Sequence, residues 1–218
     1  NICRLINTIN AELQIVADWL AANKLTLNIK KTNYIIFHRY KKFKYPLPLL
    51  KIKDDVLCEV ASTKFLGITI QNHLHWQVHI NSIKNKIAKH TGIMYLIRNL
   101  LDTKSLLLIY YSLIYPSLIY CMTVWSGASN EALNLLIIIK KRAIRTVAGV
   151  RFREHTNDIF HRLRVLKLPD IITLTNATFV YKSLHGLIDS TNYFSPNVNN
   201  PYNTRNHGDL YPPPTPST

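Results

Sequence analysis

The stretch Lys64–Ile80, KFLGITIQNHLHWQVHI, constrains this chain more than any other, because the hydrophobic period changes across it. Before it, apolar residues come in short alternating runs broken by polar turns, the mark of half-buried strands. After Trp76 they recur every three or four residues, the mark of helices with one buried face. A single change of period predicts a small α+β part followed by an all-helical part, an α+β protein as a whole. The boundary is expected near Asn72, and a tail rich in Asn, Pro, Ser and Thr follows Ser190. The expected divisions are 1–72, 73–189 and 190–218. Gly67 sits early in the predicted last strand, Lys64–Ile70, where a missing Cβ lets another backbone or a ligand come close.

The α+β part opens on an amphipathic helix. Ile2, Leu5, Ile6, Ile9, Leu13, Val16, Ala17 and Leu20 form one stripe over residues 2–20. Leu25, Leu27 and Ile29 alternate with Thr26 and Asn28 and predict a strand, followed by a polar turn at Lys30–Asn33. Tyr34–Phe37 predicts a second strand. A basic loop from His38 carries Arg39, Lys41, Lys42 and Lys44, and Pro46 and Pro48 keep the chain extended there. Leu49–Ile52 and Val56–Val60 flank Lys53-Asp54-Asp55, a predicted hairpin.

The helical part begins with Ile80, Ile83, Ile87, Thr91 and Met94 on one face and Lys84, Lys86, Lys89 and His90 assigned to the other. Asp102 or Thr103 is the expected cap of the next helix, which Pro116 should kink. Another helix starts at Ser129 or Asn130 and ends at Gly149. Thr156 is expected to cap a short helix to Arg164, and a last helix covers Asp170–His185.

Charge narrows the partners. Lys and Arg outnumber Asp and Glu 27 to 12, a formal net charge of +15. Such an excess repels itself and points to a polyanion, nucleic acid before an anionic membrane. The uncharged run Ser105–Trp125 is long enough to span a bilayer. It holds Tyr110, Tyr111, Tyr115, Tyr120 and a central Pro116, which suits a core helix better than a span. No membrane partner is therefore expected; a basic membrane-associated helical protein using 105–125 is the alternative. Lys140, Lys141, Arg142 and Arg145 crowd the end of the helix before Gly149. They suit phosphate neutralisation and a favourable place at a helix C-terminus equally well.

Little else suggests chemistry. Asp54-Asp55 reads as a turn, with no partner carboxylates placed for a two-metal site. The histidines at 73, 75, 79 and 90 have no metal-ligand spacing, and no phosphate-loop, nucleophile-elbow or zinc-protease motif occurs. Cys3, Cys58 and Cys121 are odd in number and are expected as buried thiols in a reducing compartment. No signal-peptide pattern opens the chain. No initiator Met does either, so residue 1 is expected to be a cut point in a longer protein.

WLAANKLTLNIKKTNYIIF at 19–37, followed by KFLGITI at 64–70, resembles the end of the palm domain of reverse transcriptases from non-LTR (LINE-type, jockey-like) retrotransposons. The matching residues are Trp19, Asn23, Leu25, Leu27, Asn28, Lys31, Thr32 and Phe37, then Phe65-Leu66-Gly67-Ile68. HLHWQVHI, IYYSLIYPSLIYCMTVW, KKRAIRTVAG and YNTR at 202–205 are similar, in order, to the thumb and connecting region of the same elements.

The resemblance implies a remnant of the palm-type antiparallel sheet with its packed helix, then a helical thumb. It places Asn28, Lys31 and Thr32 beside the incoming nucleotide, Lys31 nearest its phosphates. It makes Phe65, Leu66 and Gly67 the primer grip, and Lys64–Ile80 the hinge from palm to thumb. Lys84, Lys86, Lys89, Lys140, Lys141, Arg142 and Arg145 would hold the RNA/DNA template–primer duplex. The implied partners are that duplex, upstream palm and fingers, and an optional endonuclease domain of the same polyprotein. The implied location is nucleus and cytoplasm. The family's metal-binding aspartates, one pair in a Tyr-x-Asp-Asp strand, match nothing here and would fall before Asn1. Gln71 stands where such elements often have Asp. No metal site or catalytic residue is therefore expected in this chain, which should be inactive alone; Mg2+ belongs to the full-length polymerase. A non-functional transposon remnant is the remaining alternative.

Overall fold

The computed structural model describes residues 2–38, 48–189, 195–196 and 210–211. The basic loop residues Arg39, Lys41, Lys42 and Lys44, Pro46, most of the tail and the YNTR match at 202–205 lie outside the described residues. The chain divides into two compact units, Asn1–Ser82 and Ile83–Thr218.

In the first unit α1 spans Ile2–Ala22. Only part of its stripe is covered. Ile6 and Ala17 are buried with Leu50, Ile52 and Leu57, and Ile9, Leu13, Leu27, Ile29 and Tyr34 pack against them. Leu5 and Val16 of the stripe stay exposed, as do Ile15 and Trp19 outside it. Asn10 ties the helix to the chain below it. Its side-chain amide donates to Leu49 O at 3.1 Å, and its carbonyl accepts from Lys51 N at 2.9 Å.

The strands are shorter than the alternation predicts. β1 (Asn33–Tyr34) pairs in parallel with β4 (Cys58–Glu59). β2 (Lys51–Ile52) and β3 (Asp55–Val56) form the hairpin expected around Lys53–Asp55. β5 (Ser62–Phe65) pairs antiparallel with β6 (Ile68–Gln71). These are separate two-stranded sheets, so the single antiparallel palm-type sheet is not formed among the described residues.

The strand expected at Leu25–Ile29 is also absent. Ile29–Lys31 winds into a 3-10 turn instead. Asn28 Oδ1 accepts from Lys31 N at 3.2 Å, and Thr32 Oγ1 donates to Asn28 O at 3.0 Å. Short polar side chains here satisfy the backbone locally and outcompete a ladder.

Lys64–Ile70 is a hairpin and not one strand. Phe65 pairs with Ile68, leaving Leu66-Gly67 as a two-residue turn. Both have positive φ, 45° at Leu66 and 84° at Gly67, the signature of a type I′ turn. Gly67 meets that demand freely, whereas Leu66 is strained by its Cβ. Leu66→Asn creates the Asn-Gly pair such turns prefer and should stabilise the first unit by about 1 kcal/mol in urea unfolding. A loss of stability would show that the leucine side chain contributes more than its backbone strain costs.

α2 spans Gln77–Ile97, and its residues from Ile83 on belong to the second unit. Ile80, Ile83, Ile87, Thr91 and Met94 are all buried, as their spacing predicts. Asp102 caps α3 (Thr103–Ile109), accepting from Ser105 N at 3.0 Å. A π-helical turn follows at Tyr110–Ile114, then α4 at Tyr115–Ile119. Pro116 has no N–H to donate and its ring crowds the preceding turn, so the helix widens there instead of running straight. Cys121, at φ 47°, ends it before α5 (Met122–Trp125). Tyr110, Ile114, Leu118, Met122 and Trp125 form the buried face of the run. The Tyr110 hydroxyl is buried without a hydrogen-bond partner, and burial keeps the phenol protonated. Among the described residues no helix is long and apolar enough to cross a membrane.

α6 (Asn130–Ala148) starts at Ser129, whose hydroxyl accepts from Ala132 N, and packs on α3, α7 (Asn157–Arg162) and α8 (Leu168–Leu184). Thr156 precedes α7 but makes no side-chain cap. α8 starts two residues earlier than Asp170, whose carboxylate instead accepts from Lys167 N at 3.2 Å. β7 (Ser195–Pro196) and β8 (Leu210–Tyr211) pair antiparallel. The expectation of buried thiols is corrected: Cys58 is exposed, and Cys3 and Cys121 are only half-buried. Cys58 lies on a two-residue strand too short to cover it.

Candidate nucleic-acid interface

The last turn of α6 builds the site. Gly149 follows it with φ 67°. Its N–H donates to Thr146 O at 3.3 Å, and Val150 N donates to Arg145 O at 3.2 Å. This paired closure ends the helix and folds the chain back on it. The constraint at Gly149 is the backbone angle, since a Cβ there would meet nothing within 4 Å. The reversal brings Arg151 and Phe152 beside Arg142 and Arg145, where Tyr95 of α2 and Arg98, just past its end, join them.

The result is a cleft of about 580 Å³ lined by Tyr95, Arg98, Arg142, Arg145, Arg151 and Phe152. Four guanidinium groups line it and no carboxylate does. Arg145 is held in place: its Nε donates to Glu154 O at 2.9 Å, and its guanidinium lies 5.9 Å from the Phe152 ring centroid. Arg98 stacks 4.0 Å over Tyr95. Glu154 borders a neighbouring depression with Arg153 and Asp158. Arginines stay charged at every working pH and present forked donors that match phosphate oxygens. The cleft is chemically an anion site with aromatic walls.

The sequence-predicted residues fall into different places. Arg142 and Arg145 line the cleft, and Lys141 is exposed on the same helix. Lys140 is corrected: it is 1% exposed, and its Nζ donates to Leu166 O at 2.6 Å, so it has no free reach to a phosphate. Burial pushes its amine down to about 7, with Asp170 pulling the other way.

The shared face assigned to Lys84, Lys86 and Lys89 is also corrected. At about 100° per residue Lys86 lies roughly 200° and Lys89 roughly 140° from Lys84 around the axis. Accordingly Lys86 and Lys89 are exposed, while Lys84 is half-buried beside the apolar stripe.

In the first unit, Asn28 and Thr32 spend their side chains on the local turn, and Lys31 is exposed. Phe65 and Leu66, 62% and 73% exposed, form the tip of the β5–β6 hairpin with Gly67. Asp54 lies in the β2–β3 turn and Asp55 on β3, both exposed. No group of three or more His, Cys, Asp and Glu that could hold a metal comes together among the described residues.

The residues that sequence reasoning passed over are Arg151, Phe152 and Tyr95. Only Gly149, a helix stop followed at once by Arg151-Phe152-Arg153, signals that basic and aromatic groups return to the end of α6.

Among curated proteins, an RNA-directed DNA polymerase from the mobile element jockey of Drosophila funebris is 24% identical over 181 residues, 82% of this chain and 19% of that protein. The jockey polymerase of Drosophila melanogaster is 33% identical over 127 residues, 56% of this chain and 14% of its own length. The chain is similar to one segment of the jockey polymerases. It spans about a fifth or less of these relatives. The jockey similarity bears out the resemblance to non-LTR retrotransposon reverse transcriptases read from the ordered motifs. No protein-family model and no solved structure matches the chain.

Proposed function

We propose that this chain is the C-terminal part of a retrotransposon RNA-directed DNA polymerase and that it grips the template–primer duplex. The observation that carries the reading is the similarity to jockey polymerases, in a chain whose helical unit exposes Lys86, Lys89 and Lys141. In this reading the first unit is the end of the palm and the helices are the thumb. The β5–β6 tip at Phe65, Leu66 and Gly67 is the primer grip, and Lys31 lies near the incoming nucleotide's phosphates. Lys86, Lys89 and Lys141 add exposed charge along the duplex backbone. The carboxylates that hold Mg2+ belong to the upstream palm, and the polymerase works in nucleus and cytoplasm.

Purified 1–218 should bind an RNA/DNA hybrid with an affinity that falls roughly a hundredfold between 50 and 200 mM salt, as about four phosphate contacts require. Lys86→Glu and Lys89→Glu should weaken binding further and flatten the slope. Salt-independent binding would sink the reading. With primed template, nucleotides and Mg2+ the chain alone should not extend a primer; extension would overturn the placement of the carboxylates outside it.

A further inference from the structure

We infer that the arginine cleft of the second unit takes an unpaired nucleotide, its phosphates on Arg98, Arg142, Arg145 and Arg151 and its base on the Phe152 ring. This rests on the polymerase-segment reading and adds to it a site for single-stranded nucleic acid, distinct from the duplex grip. Three observations point there.

The first is shape. A duplex turns its phosphates outward along a convex ridge, which suits charges exposed on helix surfaces, as Lys86, Lys89 and Lys141 are. The four arginines instead converge on one concave space of about 580 Å³, within the range of pockets that enclose a small molecule. Only a strand freed from its partner can bend a nucleotide into it.

The second is the aromatic wall. Phe152 is 74% exposed and Tyr95 53%, although both border the cleft. A phenyl ring left in water beside a guanidinium offers a face on which a base can stack. In a duplex that face finds nothing, because the bases are already stacked on one another. In an unpaired strand it finds a base, and stacking of this kind is the usual way proteins hold single strands.

The third is charge balance. Four guanidinium groups with no lining carboxylate repel one another, and their own contacts do not relieve this. Arg145 is tied to a backbone carbonyl and Arg98 to a ring, neither of which carries a neutralising charge. The C-terminal end of α6 faces the same space and helps the cations only partly. A phosphodiester supplies the missing anion, and bidentate guanidinium contacts give it a fixed seat.

The test compares two probes on the full chain by fluorescence polarisation at one salt concentration: a short unpaired RNA oligomer and a blunt RNA/DNA hybrid of the same length. Phe152→Ala should weaken the unpaired RNA roughly tenfold and leave the hybrid unchanged, the loss expected for one stacked base. Arg151→Glu should abolish the difference between the probes, and Arg151→Lys should restore part of it. Circular dichroism melts of each variant establish that the helical unit is folded. If Phe152→Ala weakens both probes equally, or neither, the cleft is no single-strand site, while the duplex reading stands on the salt dependence of the hybrid. If inorganic phosphate at millimolar concentration displaces the RNA as well as unlabelled RNA does, the site recognises the anion alone and the inference is overturned. If neither probe binds at low salt, both readings fall together.

Discussion

Trp125→Ala should destabilise the helical unit by about 4 kcal/mol, the cost of emptying a large, fully enclosed core site. Trp125 is 0% exposed and closes the buried face that runs through Tyr110, Ile114, Leu118 and Met122. It also does a second job. Cys121 sits at φ 47°, a conformation costly for a residue with a Cβ, and breaks the helix there. The Trp125 indole N–H donates to Tyr120 O at 2.9 Å, across that break. Packing and hydrogen bond together hold the chain in its strained turn. Trp125→Phe separates the two: it keeps most of the ring volume and removes the donor, and should cost about 1–2 kcal/mol. Urea unfolding followed by far-ultraviolet circular dichroism reads both. An unchanged midpoint for the alanine variant would mean that the ring is not enclosed.

Much of this unit is legible in the sequence because its burial follows helical periods. Ile80, Ile83, Ile87, Thr91 and Met94 are enclosed where their spacing puts them, and the uncharged run 105–125 turns one face inward at every fourth residue. The first unit is less legible. Its strands are two to four residues long, so alternation has little length over which to show itself. At Asn28 and Thr32, polar side chains capture the backbone before a neighbouring strand can. The turn at Leu66-Gly67 is hidden by the leucine, which turn chemistry does not predict at positive φ.

The cleft is half-legible. Arg142 and Arg145 stand out as a basic cluster, but Arg98 and Tyr95 come from a distant helix, and only the tertiary fold joins them. Lys140 shows the opposite failure. Its neighbours drew it into a charge cluster, although the apolar register placed it inside. It lies four residues after Leu136 and four before Ile144, both fully buried. The period was the stronger signal, and the charge count obscured it.

That inward lysine should make the stability of the protein rise with pH. Its amine is pushed from the ordinary 10.5 down to about 7 by burial. In the unfolded chain it holds its proton until pH nears the ordinary value, so between these limits the unfolded state binds more protons and folding gains as pH increases. Below pH 7 both states carry the charge and the full cost of burying an ammonium is present. The rise across the window is on the order of 5 kcal/mol. Lys140→Met fills the site with a neutral chain of similar length and removes this dependence. It also leaves Leu166 O without the amine that donates to it, at a cost of about 1–2 kcal/mol. The variant should therefore be the more stable protein below pH 7 and the less stable one near pH 10. Other titrating groups are common to both proteins and cancel in the difference between their unfolding free energies. A difference that stays constant from pH 6 to pH 10 would mean that the amine is solvated in the native state. Binding of RNA/DNA hybrid should be unchanged in Lys140→Met, because a side chain spent on Leu166 O has no phosphate to release.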